Sequence, residues 1–180
     1  MNLPGNYTVP PTGQNLCFAA RFDLVLNVQY LKLDGKTNTS RIPLNNETYV
    51  SYTGTCSPDN NHSLTITMLD SLTTVTLYFS LDEKNQTSLK QVQATINVDS
   101  TEEYFPNVSL NAVGPHVYLA NESLFNTDQS HSYRCNSRTS INNFKSDKNV
   151  TLESIDIENL RVQPFINQSA TFVDYAAGMF

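Results

Sequence analysis

From Phe18 to Tyr30 every second residue is apolar: Phe18, Ala20, Phe22, Leu24, Leu26, Val28 and Tyr30. Arg21, Asp23, Asn27 and Gln29 fall between them, and Val25 is the one apolar intruder. A strand with one dry face and one wet face has this period of two. The alternation returns in Leu64, Ile66 and Met68 against Thr65 and Thr67, turns at Asp70-Ser71, and resumes in Val75, Leu77 and Phe79 against Thr74, Thr76 and Tyr78. That pattern predicts a hairpin, and threonine on its wet side suits the pleat. Ser57-Pro58-Asp59-Asn60-Asn61 and Asp82 to Ser88 predict turns, and Val92, Ala94, Ile96 and Val98 a further strand. Val150 and Leu152 point one way while Ile155 and Ile157 are out of step with them, a one-residue slip that predicts a β-bulge or strand corner near Ser154.

Elsewhere the signal is thinner. Leu31 to Thr55 is polar, with Tyr49, Val50 and Tyr52 as a short strand. Glu102 to Gly114 is irregular, Val117 to Leu119 reads as a short strand, Tyr133-Arg134-Cys135 opens the last third, and Asn136 to Asn149 is polar again. No window carries a 3.6-residue period with caps. The expectation is an all-β domain of two packed sheets joined by short turns over residues 15–180. Residues 1–14, with Pro4, Gly5, Pro10, Pro11 and Gly13, read as an extended lead-in or linker.

Composition alters the picture in one respect. The 180 residues suit a single domain with a core of its own, and a net charge of -6 argues against nucleic acid or an anionic membrane surface as partner. Charged residues make up only 16% of the chain, with Asn, Ser and Thr in their place, so something other than charge is needed to keep the surface soluble. Asn-x-Ser/Thr triplets begin at Asn6, Asn38, Asn46, Asn61, Asn85, Asn107, Asn121, Asn149 and Asn167, none with Pro in the middle. With 21 Asn in the sequence, chance supplies about four such triplets. Nine, spread along the whole chain, indicate a surface carrying N-linked glycans on many sides. Such a surface belongs to a secreted or luminal protein, and an oxidising compartment also lets cysteines pair. Met1-Asn-Leu-Pro-Gly has no charged or apolar leader region and no run approaches 18 apolar residues. A luminal protein of this kind is therefore expected to be a piece of a longer chain, its signal peptide and anchor removed.

Three cysteines, Cys17, Cys56 and Cys135, leave one without a mate, and the spacing alone permits any of three pairings. A familiar order surrounds them: Gly5-Asn-Tyr7-Thr-Val9 before Cys17, Leu24-Val-Leu26-Asn-Val28 after it, Gly54-Thr-Cys56, Ser132-Tyr-Arg-Cys135, and Leu160-Arg-Val-Gln-Pro-Phe165. Together these resemble the luminal domain of lysosome-associated membrane glycoproteins, most of all the membrane-proximal copy, over nearly the whole chain. The resemblance implies a β-prism of two sheets, one sharply bent. It also implies a bridge between Cys17 and Cys56. The family's fourth cysteine would fall near Gly178, where this sequence has none, so Cys135 is expected to be an unpaired thiol buried as a small hydrophobe, rather than lost from a pair or joined to another chain. A type I membrane protein is implied as well, with a spanning helix and a cytosolic tail outside these residues.

Candidate chemistry is sparse. His62, His116 and His131 show no metal-ligand spacing, and His131 and Cys135, four apart on a strand, would stand about 13 Å from one another. Glu102-Glu103 reads as two solvated charges, and Asp59 to His62 as an ordinary turn rather than a calcium loop. No nucleophile elbow, phosphate loop or dinucleotide fingerprint occurs. The expectation is therefore a protein that is not an enzyme, with no cofactor, no metal and no catalytic residues. It is expected on the luminal side of the lysosomal or late endosomal membrane, with some at the cell surface. Its glycans would protect the membrane from hydrolases, and it would meet protein partners or copies of itself. The alternative is a recognition module, a sorting partner of a membrane protein or an accessory subunit of a proton pump, recognisable by an apolar face free of acceptors.

Overall fold

The computed structural model describes residues 5–10, 16–45, 50–70, 72–100, 103–166 and 175–177. They form two sheets facing each other across one core. The first holds β1 (Gly5–Val9), β2 (Phe18–Leu31), β3 (Thr37–Leu44), β9 (Ser132–Cys135), β10 (Thr139–Ile141), β11 (Val150–Gln163) and β12 (Tyr175–Ala177). The second is an antiparallel meander in chain order: β4 (Val50–Cys56), β5 (Asn61–Met68), β6 (Thr74–Leu81), β7 (Gln86–Val98) and β8 (Gly114–Asp128). A short 3-10 turn, Leu110–Ala112, precedes β8 and is the one helical element among the described residues.

The alternating strand of the sequence is β2, and its even-numbered face is core: Phe18, Phe22, Leu24, Leu26 and Val28 are each fully buried. Val25 breaks the alternation because it is covered on the outer face, where its register partners are Pro43 of β3 and Asp156 of β11. The opposing sheet supplies Leu64, Ile66, Val75, Leu77, Val92, Ala94 and Ile96. Across the gap the rings of Phe18 and Phe79 lie 5.6 Å apart.

β2 and β11 run antiparallel along the first sheet, and each serves two sets of outer neighbours. β3 flanks β2 from Leu24 to Leu31 and β1 flanks it from Phe18 to Phe22; likewise β10 flanks β11 at Ile155–Ile157 and β9 at Leu160–Val162. The change of neighbours falls at Asp23, where the β2–β11 register shifts between Glu158 and Arg161. Asn159 there takes a left-handed backbone conformation (φ 54°), and its Nδ2 donates to Asp23 Oδ2 at 3.1 Å. A bulge of this kind bends its strand. The slip expected near Ser154 is present as a second shift, between Leu152 and Ser154.

Four readings of the sequence need correction. Gly5–Val9, within the lead-in, is strand β1, with Tyr7 and Val9 in the core. The polar stretch after Leu31 contains β3, and that after Asn136 contains the short β10. The short strand at Val117–Leu119 is the fifteen-residue β8, the longest of the twelve. Its buried positions change parity, from Tyr118 and Ala120 to Phe125 and Thr127, and its register against β7 shifts twice in the same region.

Leu26→Ala, at the centre of the core, is expected to lower unfolding stability by about 2–5 kcal/mol. Val117→Ala, on the outer face, should change it by less than about 0.5 kcal/mol. Urea unfolding midpoints compare the two directly.

Candidate functional site

The two sheets are tied together at one corner. Cys17 precedes β2 and Cys56 ends β4; their disulfide spans a sequence separation of 39 with the Cα atoms 6.3 Å apart. The Cys17 amide donates to Val9 O at 2.8 Å, and Ile166 N donates to Cys17 O at 3.0 Å, so both chain ends of the first sheet are gathered at the bridge. β1 and β4 touch here so closely that a Cβ at Gly54 would collide with Val9. The Tyr7 ring packs 4.8 Å from Phe22 and edge-on, at 5.2 Å, against Tyr52.

His62 closes the same corner. Its ring stacks on Phe165 with centroids 4.0 Å apart, and Nδ1 donates to Pro164 O at 2.6 Å. Burial holds this imidazole below the ordinary histidine range, opposed by the carbonyls of Pro164 and Ser57. The segments Gly5–Val9, Gly54–Cys56 and Leu160–Phe165 thus meet at one bridge, and Tyr133–Cys135 pairs with Leu160–Val162 beside it.

Cys135 is free and, against expectation, only half-buried. It ends the four-residue β9, where Leu160 of β11 is its register partner and the β12 pairing stops at Arg134, and its thiol donates weakly to Ser137 O at 3.5 Å. The position near Gly178 lies outside the described residues. Burial, and then the neighbouring thiol, pushes the Tyr133 hydroxyl up. His131 has separate partners, Ser130 Oγ at 3.0 Å and Asp128 at 3.7 Å. Glu103 is exposed, and Glu102 lies outside the described residues. Among the described residues no three His, Cys, Asp or Glu side chains gather as metal ligands would.

Of the nine acceptor asparagines, Asn46 and Asn167 lie outside the described residues. Asn6, Asn38, Asn61, Asn85, Asn107 and Asn121 are exposed, and Asn149 is half-buried, its Nδ2 donating to Asn111 O at 3.1 Å. Three of them lie on edge strands: Asn6 on β1, Asn38 on β3 and Asn121 on β8. Asn85 and Asn107 occupy turns with φ 59°, a left-handed conformation that asparagine tolerates, and Asn61 follows the β4–β5 turn. Asn61 opens the central strand β5, and the central strands β2, β6, β7 and β11 carry none of the described acceptors.

The outer faces of the sheets differ in chemistry. On the first, a carboxylate sequence reasoning did not single out, Asp156, is buried: Ser140 Oγ donates to it at 2.7 Å, Asn27 Nδ2 at 3.0 Å and Ser154 Oγ at 3.2 Å, with Arg138 at 3.7 Å. A charge between Ile155 and Ile157 was its visible signal. The second sheet faces outward with rows that carry no charge. One runs Thr53, Thr65, Thr76, Gln93, Leu119; the next runs Ser51, Thr67, Thr74, Thr95, Val117.

A family model described as lysosome-associated membrane glycoprotein 2-like, luminal domains, matches residues 2–176. Three solved structures share the fold. The membrane-proximal domain of mouse lysosome-associated membrane protein 1 is 22% identical, with TM-score 0.73 over 99% of this chain and 98% of that one. The human protein LAMP-3 is 17% identical, with TM-score 0.68 over 98% and 99%. The membrane-distal domain of mouse LAMP-2 is 17% identical, with TM-score 0.71 over 98% and 96%. A comparison with curated protein sequences gives no match.

Two outcomes follow from the corner. Replacing Cys17 and Cys56 together by alanine should cost about 4 kcal/mol of stability on the loop-entropy model, read from urea midpoints. His62 titrates lower in the folded chain than in the unfolded chain, so below the unfolded value the unfolded state binds more protons and stability falls with pH. The stability advantage of wild type over His62→Asn should therefore shrink as pH drops below about 6.5, which thermal unfolding at stepped pH reports.

Proposed function

The chain belongs to the family of lysosome-associated membrane glycoprotein 2-like luminal domains, and from that membership we propose that it is a glycan-bearing shield on the luminal side of the lysosomal and late endosomal membrane. The family places it as the luminal domain of a lysosomal membrane glycoprotein. The observation that carries the finer reading is where the described acceptors stand: on edge strands, in turns and, for Asn61, at the first residue of β5, with none inside the length of a central strand. Edges offer unpaired backbone groups, and turns are where proteases first cut. Hydrated sugar at those positions covers the weak points, while the ladders of the central strands protect themselves. The protein is held to its membrane by a spanning helix; among the described residues no helix is long and apolar enough to cross one. The scaffold acts by holding glycans outward, without a reaction of its own.

The second reading, a luminal recognition or accessory module, is favoured by one feature. The charge-free rows ending in Val117 and Leu119 carry no acceptor, and Asn121 stands at their margin. Thr76→Arg with Leu119→Arg should abolish partner capture through this face and leave protease resistance unchanged.

Enzymatic removal of N-linked glycans from the native protein is expected to lower its mass and to speed its digestion by acid proteases. A protein that loses no mass, or that digests at the same rate bare, overturns the shield.

A further inference from the structure

The segment 142–149, between β10 and β11, crosses the outer edge of β8 without joining its ladder. It runs antiparallel to that strand on three contacts: Asn143 Nδ2 donates to Asn121 O at 3.3 Å, Phe144 meets the Tyr118 ring at 6.5 Å, and Asp147 Oδ2 lies 3.1 Å from His116 Nδ1. Its far end is anchored through Thr151 Oγ1 to Asp147 O at 2.9 Å and through Leu31 N to Asn149 O at 2.8 Å. The segment is therefore a strap over an edge strand, and most of its side chains are exposed.

The imidazole at its centre has an unusual pair of partners. Nδ1 faces the Asp147 carboxylate, and Nε2 lies 2.8 Å from Ala112 O. Both partners only accept. Either neutral tautomer donates to one of them and turns a lone pair toward the other, whereas the imidazolium donates to both. We propose that His116 is a proton-operated latch that closes the 142–149 strap over the β8 edge in acid and releases it toward neutral pH. The His116 side chain is 14% exposed and Asp147 47%, so the pair is partly shielded from solvent. The hydrogen bond from His116, first among its causes, holds the Asp147 carboxyl below the usual carboxylate range and keeps the acceptor ionised in acid.

The other charges around the ring are few. Lys145 and Lys148 flank Asp147 on the strap, and Asp99 follows β7, whose Ile96 is the register partner of His116. Residues 110–112 bring no charge. Tyr118, two residues along β8, stays protonated because burial and then Asp147 raise it, and its hydroxyl donates to Val150 O at 2.7 Å. Among the side-chain types gathered here, imidazole is the one that ordinarily changes charge between about pH 5 and 8. The latch is independent of whether any acceptor carries sugar.

Amide hydrogen exchange on the intact glycoprotein, corrected for intrinsic rates, tests this at about pH 5 and about pH 7.5. Amides 143–148 should exchange about fivefold more slowly in acid, the most a partly exposed ion pair of ordinary strength gives. His116→Gln and Asp147→Asn should each abolish that difference while amides of β6 and β7 keep theirs. Equal protection of the strap at both pH values in wild type, or a difference surviving in either folded variant, overturns the latch. Nitrogen NMR of wild-type His116 gives a reading without substitution: both ring nitrogens protonated in acid supports it, and a neutral ring at about pH 5 overturns it.

Discussion

The ladder between β2 and β11 is the constraint on which the rest of the structure depends. These two fourteen-residue strands, more than a hundred residues apart in sequence, pair antiparallel from Tyr30 and Val150 to Ala19 and Gln163. All the other strands of the first sheet attach to one of them or, like β12, to a strand that does. Because both are longer than their neighbours, each must accept one partner along one half and another along the other half. The register shift at Asn159 coincides with that change. Both inner halves stay dry because the apolar period of β2 runs unbroken across the junction, through Phe22 and Leu24. The disulfide then links this sheet covalently to the meander at the end where β2 starts and β11 finishes.

That arrangement explains which parts of the fold the sequence discloses. β5, β6 and the second half of β7 alternate without interruption and β2 is broken within its run only at Val25, so each shows its buried face directly. β8 hides, because its outward side carries Val117 and Leu119 while its inward side turns over at a bulge, with Phe125 in a left-handed conformation (φ 58°). A period of two cannot be read through a change of phase. β3 hides behind its polar edge position and Pro43, a residue the outside of a sheet admits and the inside does not. β1 hides between Pro4 and Pro10 with Gly5 at its start, and Tyr7 and Val9 are its only apolar signal. The corner around Cys17 was legible only through resemblance. Contacts such as His62 to Pro164 join residues a hundred apart and leave no local pattern.

The exposed acceptors and the low charge of the chain have a common physical logic. A sheet protein must blunt its edges, and charged side chains on edge strands are the usual means. Here Asn6, Asn38 and Asn121 occupy those strands instead, and the net charge of -6 is carried by only 17 acidic and 11 basic residues. Carboxylates begin to take up protons in an acid compartment, so an edge defended by them loses part of its charge there. A glycan on these asparagines, as proposed, would keep its bulk whatever the pH. Bulky neutral defence at edges and turns suits a protein whose surroundings are acidic and proteolytic.

The same logic assigns the polar groups that remain inside. Asp156 is buried under three hydrogen-bond donors and an arginine, and His62 lies between a carbonyl and an aromatic ring. Each is held by short contacts on more than one side, so their chemistry is committed to geometry. Removing one partner of such a group leaves an unsatisfied polar atom in the interior, a larger loss than the bond itself contributes. His116 differs because its ring bonds a strap whose side chains are mostly exposed and which lies outside both sheets. The positions that hold the two sheets together and the position that responds to protons are therefore separated in the fold: the disulfide corner lies at the start of β5, and the latch lies beside the start of β8, at the opposite end of the meander. A domain built this way can alter how tightly one edge is covered as pH changes while the β2–β11 ladder and the bridge keep their geometry.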